Sequence, residues 1–107
     1  MSVCEFCGVN DLLELRFEWD AEKNRANIKK HGISFDEAMT VFDDTLALYQ
    51  EDADHSLQED RFMILGFSSA LRLLVVCHCY RKRDEVIRIF SARKATKTET
   101  ELYGGAS

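Results

Sequence analysis

The period of the apolar positions changes along the chain, and each change marks an element. Leu15 to Trp19 alternates, with Phe17 and Trp19 on one face, which predicts a short strand. Asp20 is a good N-cap for a helix from Ala21 to about His31, closed by Gly32. This helix is polar, rich in Lys and Asn, and is expected to touch the domain only through Ala21, Ile28 and His31. Ser34 opens a second helix, and Glu37 three residues on completes a capping box. Phe35, Ala38, Met39 and Phe42 then recur at helical spacing and must face a core, until Asp43-Asp44 ends the helix.

Four strand-like runs follow: Leu46 to Gln50, Arg61 to Phe67, Leu71 to Arg81 and Val86 to Ser91. The breaks between them are polar. They are an acidic loop with His55, a turn over Gly66 to Ala70, and a turn over Lys82 to Glu85. Thr96 and Glu99 form another capping box and start a short C-terminal helix that Gly104-Gly105 stops. The order is β-α-α-β-β-β-β-α. Strands joined by short turns predict an α+β fold, an antiparallel sheet with the two N-terminal helices on one face. A chain of 107 residues fits one domain, expected over residues 16–104, and residues 1–15 read as an N-terminal extension.

The third and fourth runs carry the chemistry. Leu73 to Val76 is apolar at both parities, which marks a central strand covered on both faces. A two-residue turn at Arg83-Asp84 pairs Lys82 with Glu85, Arg81 with Val86 and Cys79 with Arg88. Arg81 and Arg88 then share a face as diagonal neighbours, close enough to bind one phosphate between them. His78 and Tyr80 fall on the other face beside Ile87 and Ile89, and Arg93 and Lys94 follow at the strand's end.

Cleavage of RNA through its own 2′-hydroxyl needs a proton taken from that oxygen and one given to the leaving 5′-oxygen. It also needs the growing charge on phosphate stabilised. The planar donor fork of Arg suits the last requirement. His78 has a suitable ordinary pKa, but it faces away from Arg81, so a packed core histidine is an equal reading. Lys94 is a second candidate acid or base, if neighbouring Arg lowers its pKa. Taken alone, these residues describe a phosphate-binding sheet.

Charge sharpens this picture. The chain carries a net −5, but unevenly. Asp36 to Asp60 holds nine acids and no Lys or Arg, whereas Arg72 to Lys97 holds eight Lys or Arg against two acids. One basic end can bind phosphate even in an acidic chain. No run is long and apolar enough for a membrane span, and the acidic start lacks the basic region of a secretory signal, so a cytoplasmic protein is expected. Cys4 and Cys7 form a C-x-x-C pair, and Cys77 and Cys79 share one face of a strand with His78 opposite. The two pairs do not make a four-ligand zinc site, so no metal and no cofactor is expected, and Cys77 and Cys79 read as reduced packing residues.

End to end, the chain resembles the BrnT family. The segments that carry the resemblance are Phe17-Glu18-Trp19-Asp20, then Lys30 to Phe35 with Glu37-Ala38 and Val41-Phe42-Asp43. Asp54-His55-Ser56 with Arg61, Leu65-Gly66, and Leu74-Val75-Val76 with His78 and Tyr80-Arg81 come next. Ile87-Arg88-Ile89 and Ser91 to Thr96 complete the set. The resemblance implies a RelE-like fold and a ribonuclease toxin of a type II toxin–antitoxin pair that inhibits translation. It implies neutralisation by a BrnA-type antitoxin, through which alone operator DNA is bound. Arg81, Arg88, Arg93 and Lys94 match the family's basic motif and take the catalytic role by that resemblance, with His78 beside them. Trp19, Lys23 and His31 match the first motif, Trp19 as a core anchor. The extension with Cys4 and Cys7 and the acidic net charge depart from the family's pattern. A catalytically inactive partner or co-repressor of the antitoxin is the alternative.

Overall fold

A computed structural model describes residues 16–51, 61–81 and 86–105. The extension with Cys4 and Cys7, the loop with His55 and the turn over Lys82 to Glu85 lie outside the described residues. The described elements are β1 (Arg16–Glu18), α1 (Ala21–His31), α2 (Phe35–Thr40) with a 3-10 turn over Val41–Asp43, β2 (Leu48–Glu51), β3 (Phe62–Phe67), β4 (Leu73–Arg81), β5 (Val86–Lys94) and α3 (Lys97–Gly105). This is the α+β order read from the sequence.

The strands form one sheet in the order β1-β5-β4-β3-β2. The four strands β2 to β5 are antiparallel as expected. β1 is the exception. It pairs parallel with β5, setting Phe17 opposite Ile87 and Glu18 opposite Arg88. The helices carry the chain from this edge of the sheet to the other, so β2 starts the meander that returns β5 to β1.

Local signals place the helix ends. The Asp20 carboxylate accepts from the backbone N–H of Glu22 at 2.8 Å and Lys23 at 3.4 Å, and Gly32 closes α1 in the left-handed region at φ 74°. Thr96 and Glu99 form the reciprocal capping box, with Thr96 N–H to Glu99 Oε1 at 2.8 Å and Glu99 N–H to Thr96 Oγ1 at 3.2 Å. The box at Ser34 is only half made. The Ser34 hydroxyl accepts from Glu37 N–H at 3.1 Å, but the Glu37 carboxylate turns to Arg72 and the Ser68 hydroxyl. A cation on the next layer outcompetes a local amide. The turn expected over Gly66 to Ala70 starts later, because Gly66 is the buried end of β3. A Cβ there would lie 3.0 Å from Ala47 Cβ and 3.0 Å from Asp44 Oδ2, so only glycine lets this loop approach the strand.

One core lies between the helices and the sheet. Ile33, Phe35, Ala38 and Val41 pack on Ile64, Leu74, Val76, Ile87, Ile89 and Ala92. On the other face α3 meets β3, where Tyr103 stacks edge-on against Phe67 and its hydroxyl donates to Asp44 Oδ2 at 2.6 Å. Helix α1 docks differently from the expectation. Ile28 is 44% exposed and Ala21 is exposed, while Asn27 is only 7% exposed. The Asn27 amide donates to Ile33 O at 2.8 Å and Ala92 O at 2.8 Å, and accepts from Ala92 N–H at 3.1 Å. Asn24 adds a bond from Phe35 N–H at 2.9 Å. Among the described residues, no helix is long and apolar enough to cross a membrane.

Asn27→Leu keeps the branched outline with somewhat more bulk and removes the three Asn27 bonds, leaving buried backbone groups of Ala92 and Ile33 unsatisfied. Each such group costs about 1–3 kcal/mol. The expected outcome is a loss of about 3 kcal/mol or more in urea unfolding. Ile28→Ser should change stability by less than about 1 kcal/mol. Equal effects of the two changes would overturn this account of the docking.

Candidate functional site

The hairpin of β4 and β5 begins in the register read from the sequence, with Arg81 opposite Val86 and Cys79 opposite Arg88. Arg81 and Arg88 therefore share the face turned away from the helices. Between them stands a residue that the sequence reading left out of the site. Glu18 comes from β1, which pairs beside β5. Its Oε2 accepts from Arg88 Nη1 at 3.0 Å and lies 3.9 Å from Arg81 Nε. The three side chains are partly exposed and carry a net charge of +1. Alternation had put Glu18 opposite Phe17 and Trp19. Only the parallel pairing of β1 with β5, which no local pattern encodes, brings it to the arginines.

A β-bulge then changes the parity. Ile89 lies opposite His78 but Ser91 lies opposite Cys77, so Phe90 is the additional residue on β5. Beyond it Arg93 pairs with Val75 and Lys94 with Leu74. Arg93 thus joins the face of Arg81 and Arg88, and Lys94 turns to the helix face, where its charge acts on Glu37. Arg93 is held by a two-pronged ion pair, Nη1 to Glu99 Oε1 at 2.8 Å and Nη2 to Glu99 Oε2 at 2.8 Å. This pair drives the Glu99 carboxyl down to about 2. At about 3.3 Å per strand residue, Arg93 sits roughly 15 Å along β5 from Arg88, too far to share one phosphate with it.

His78 is in the core. It is fully buried on the helix face, ringed edge-on by Phe42 and Tyr80, with Nδ1 3.1 Å from Val76 O. Burial lowers its pKa to about 4 from 6.5, the neighbouring carbonyl opposing weakly, so it is neutral at pH 7. The five candidates therefore fall into four places: Arg81 with Arg88, Arg93 with Glu99, Lys94 on the helix face and His78 in the core.

The bulge also opens a cleft of about 310 Å³ beside Arg93, bordered by Lys23, Arg61, Phe90 and Ser91. The Arg61 guanidinium carbon lies 4.2 Å and Lys23 Nζ 5.9 Å from the centre of the Phe90 ring. In the sequence Lys23 stands out only as part of the first motif, and Arg61 only as part of the family resemblance. Their meeting over Phe90 depends on the bulge. Among the described residues, no three His, Cys, Asp or Glu side chains form a group that could hold a metal ion.

The family model described as the ribonuclease toxin BrnT of type II toxin–antitoxin systems matches residues 19–99. The fold is similar to the crystal structure of the Brucella abortus ribonuclease toxin BrnT. That match has a TM-score of 0.59 and 24% identity, and covers 78% of this chain and 99% of that one. No curated protein matches the chain.

Two acid limbs of stability follow. His78 binds its proton below about 4 when folded but near 6.5 when unfolded. The unfolded state takes up the proton first, so the contribution of His78 is present above pH 6.5 and is lost between about 6.5 and 4, by at most about 1.4 kcal/mol per pH unit. Glu99 contributes above its unfolded value of 4.5 and loses that contribution as pH falls towards about 2. Denaturant midpoints against pH should flatten between 6.5 and 4 in His78→Leu, and below 4.5 in Glu99→Gln. An unchanged slope in either variant would contradict the corresponding environment.

Proposed function

The chain belongs to the BrnT family of ribonuclease toxins of type II toxin–antitoxin systems, and on that premise we propose that it is a metal-independent endoribonuclease that stops translation and is neutralised by a BrnA-type antitoxin. The observation that carries the catalytic reading is the convergence of the partly exposed Arg81 and Arg88 side chains on one point, already occupied by the Glu18 carboxylate. A site that holds one oxyanion between two guanidinium groups is built to hold another.

In this reading the scissile phosphate displaces the Glu18 carboxylate from the arginines, and they stabilise the charge that grows on its oxygens. The displaced Glu18 is the nearest acceptor for the 2′-hydroxyl proton. As that proton leaves, the 2′-oxygen bonds to phosphorus and the bond to the 5′-oxygen breaks. The 5′-oxygen takes a proton from solvent. Arg93, held by Glu99, adds positive charge further along the strand, Lys94 contributes long-range attraction, and His78 serves packing. Because the arginines supply the positive charge, cleavage is expected to persist in EDTA.

The alternative, an inactive partner of a DNA-binding antitoxin, is favoured by a single fact: Arg88 and Arg93 each already hold a carboxylate. Induced expression without antitoxin separates the two, since only the enzyme arrests growth. Arg81→Ala and Arg88→Ala should each lower cleavage on the order of a hundredfold or more and abolish arrest, while leaving the protein folded and able to bind antitoxin. Glu18→Gln should lower the rate of cleavage. Arginine variants that remain fully toxic at matched expression would remove the phosphate assignment.

The antitoxin is expected to cover Arg81 and Arg88, and salt should weaken its association, because the basic face supplies long-range attraction. Affinity that stays level as salt rises, with both arginines still open to solvent in the complex, would count against this.

A further inference from the structure

The cleft made by the bulge lies apart from the Arg81–Arg88 pair and shares with the basic motif only Arg93. Three cations reach it from three separate elements. Lys23 stands in the first turn of α1, Arg61 precedes β3, and Arg93 lies on β5. They surround one aromatic ring and one hydroxyl, Phe90 and Ser91, the two residues that the bulge sets opposite the single residue Cys77. The Arg61 guanidinium carbon lies over the Phe90 ring, 4.2 Å from its centre, which sets a cation against an aromatic ring at the cleft wall. Lys23 is exposed, and its ammonium stands 5.9 Å from the same ring. Arg93 is fixed by Glu99, so its position does not depend on a ligand.

This chemistry matches a nucleotide of single-stranded RNA. Unstacked bases lie against aromatic rings and guanidinium planes, and phosphates take flexible lysines. A volume of about 310 Å³ suits one small ligand rather than a helix. The cleft opens on the face of Arg81 and Arg88, two to three residues further along β5, which is roughly 10 Å at strand spacing. That separation is about two to three nucleotides of a single strand, at roughly 3.4 Å each when stacked.

We propose that this cleft is a nucleotide-binding subsite. A base lies on the Arg61–Phe90 pair and its phosphate is held by Lys23, so that the strand is gripped beside the arginine pair where it is cut. The inference rests on the ribonuclease reading for its substrate, but not on the catalytic assignment of Arg81 and Arg88. It explains why a bulge is placed in the middle of the longest strand pair. A regular strand would present Phe90 alone opposite Cys77 and would send Arg93 to the helix face.

The test uses the full chain and a fluorescein-labelled 2′-O-methyl oligoribonucleotide, which cannot be cleaved through its 2′-oxygen. Binding is followed by anisotropy against salt, with the matching single-stranded DNA and a duplex RNA as further arms. Lys23→Glu should weaken binding about tenfold or more. Lys23→Gln should lower the slope of log K against log salt by about 0.7, the value for one phosphate contact on a single strand. Phe90→Leu, which keeps an apolar side chain, should weaken single-strand binding at unchanged salt slope. Single-strand affinity well above duplex affinity is expected.

Lys23 variants that bind as the wild type does, in a protein that cleaves ordinary RNA, would overturn the subsite and leave the ribonuclease reading standing. Duplex bound as well as single strand would overturn it too. A wild type that binds through Lys23 but does not cleave would support the subsite and remove the catalytic reading. Absence of both binding and cleavage would overturn both.

Discussion

The buried amide of Asn27 is the contact on which the arrangement of layers depends. β1 pairs with β5 only as far as Arg88, and beyond that the edge of β5 has lost its neighbour. The Asn27 side chain takes the place of the missing strand at Ala92, accepting from its N–H and donating to its carbonyl. The same amide nitrogen donates to Ile33 O in the bend between α1 and α2. One residue thus satisfies three backbone groups that would otherwise be buried without partners, and it fixes a helix whose apolar surface is too small to dock by itself. The position of Lys23, one turn earlier on the same helix, follows from that anchor.

Placed on this frame, the bulge at Phe90 decides which charged groups can act together. A strand has two faces and a fixed alternation, so one additional residue exchanges the faces for everything beyond it. Arg93 gains the face of Arg81 and Arg88, and Lys94 is sent to Glu37 and Arg72. On the helix face the neighbouring charges are tied into the fold. Arg72 joins the Glu37 carboxylate and Gly32 O, tying the start of β4 to the helix layer. This is also why the capping box at Ser34 is half made.

What the sequence made legible follows from the range of each interaction. The caps at Asp20, Gly32 and Thr96 are local, and they stand where the residue types put them. The pairing of Arg81 with Val86 and Cys79 with Arg88 needed only a short turn and alternation. The docking of α1 was misread because burial was expected of Ile28 and Ala21, whereas Asn27 is buried by virtue of partners some way off in sequence. Glu18 was missed for the same reason, since the parallel pairing of β1 is a long-range fact. The bulge left no signature, because Phe90 and Ser91 are each compatible with either face.

The carboxylates on the arginine face answer the question posed by the acidic composition. An arginine that waits alone for RNA must be drawn from water and ordered when the substrate arrives. One that already holds a carboxylate is ordered beforehand, and binding becomes an exchange of one oxyanion for another. The exchange is easier at Glu18, which reaches Arg88 through a single oxygen and Arg81 only at 3.9 Å, than at Glu99, whose two oxygens both grip Arg93. The two pairs therefore suit different tasks. The Glu18 cluster can open to the phosphate that reacts, while the Arg93–Glu99 pair stays closed and holds the start of α3 against the sheet. Lys23, exposed on the helix, adds charge without an exchange. A chain of net negative charge can in this way present a strand of cations to RNA, because the acids beside them set their geometry rather than cancel their function.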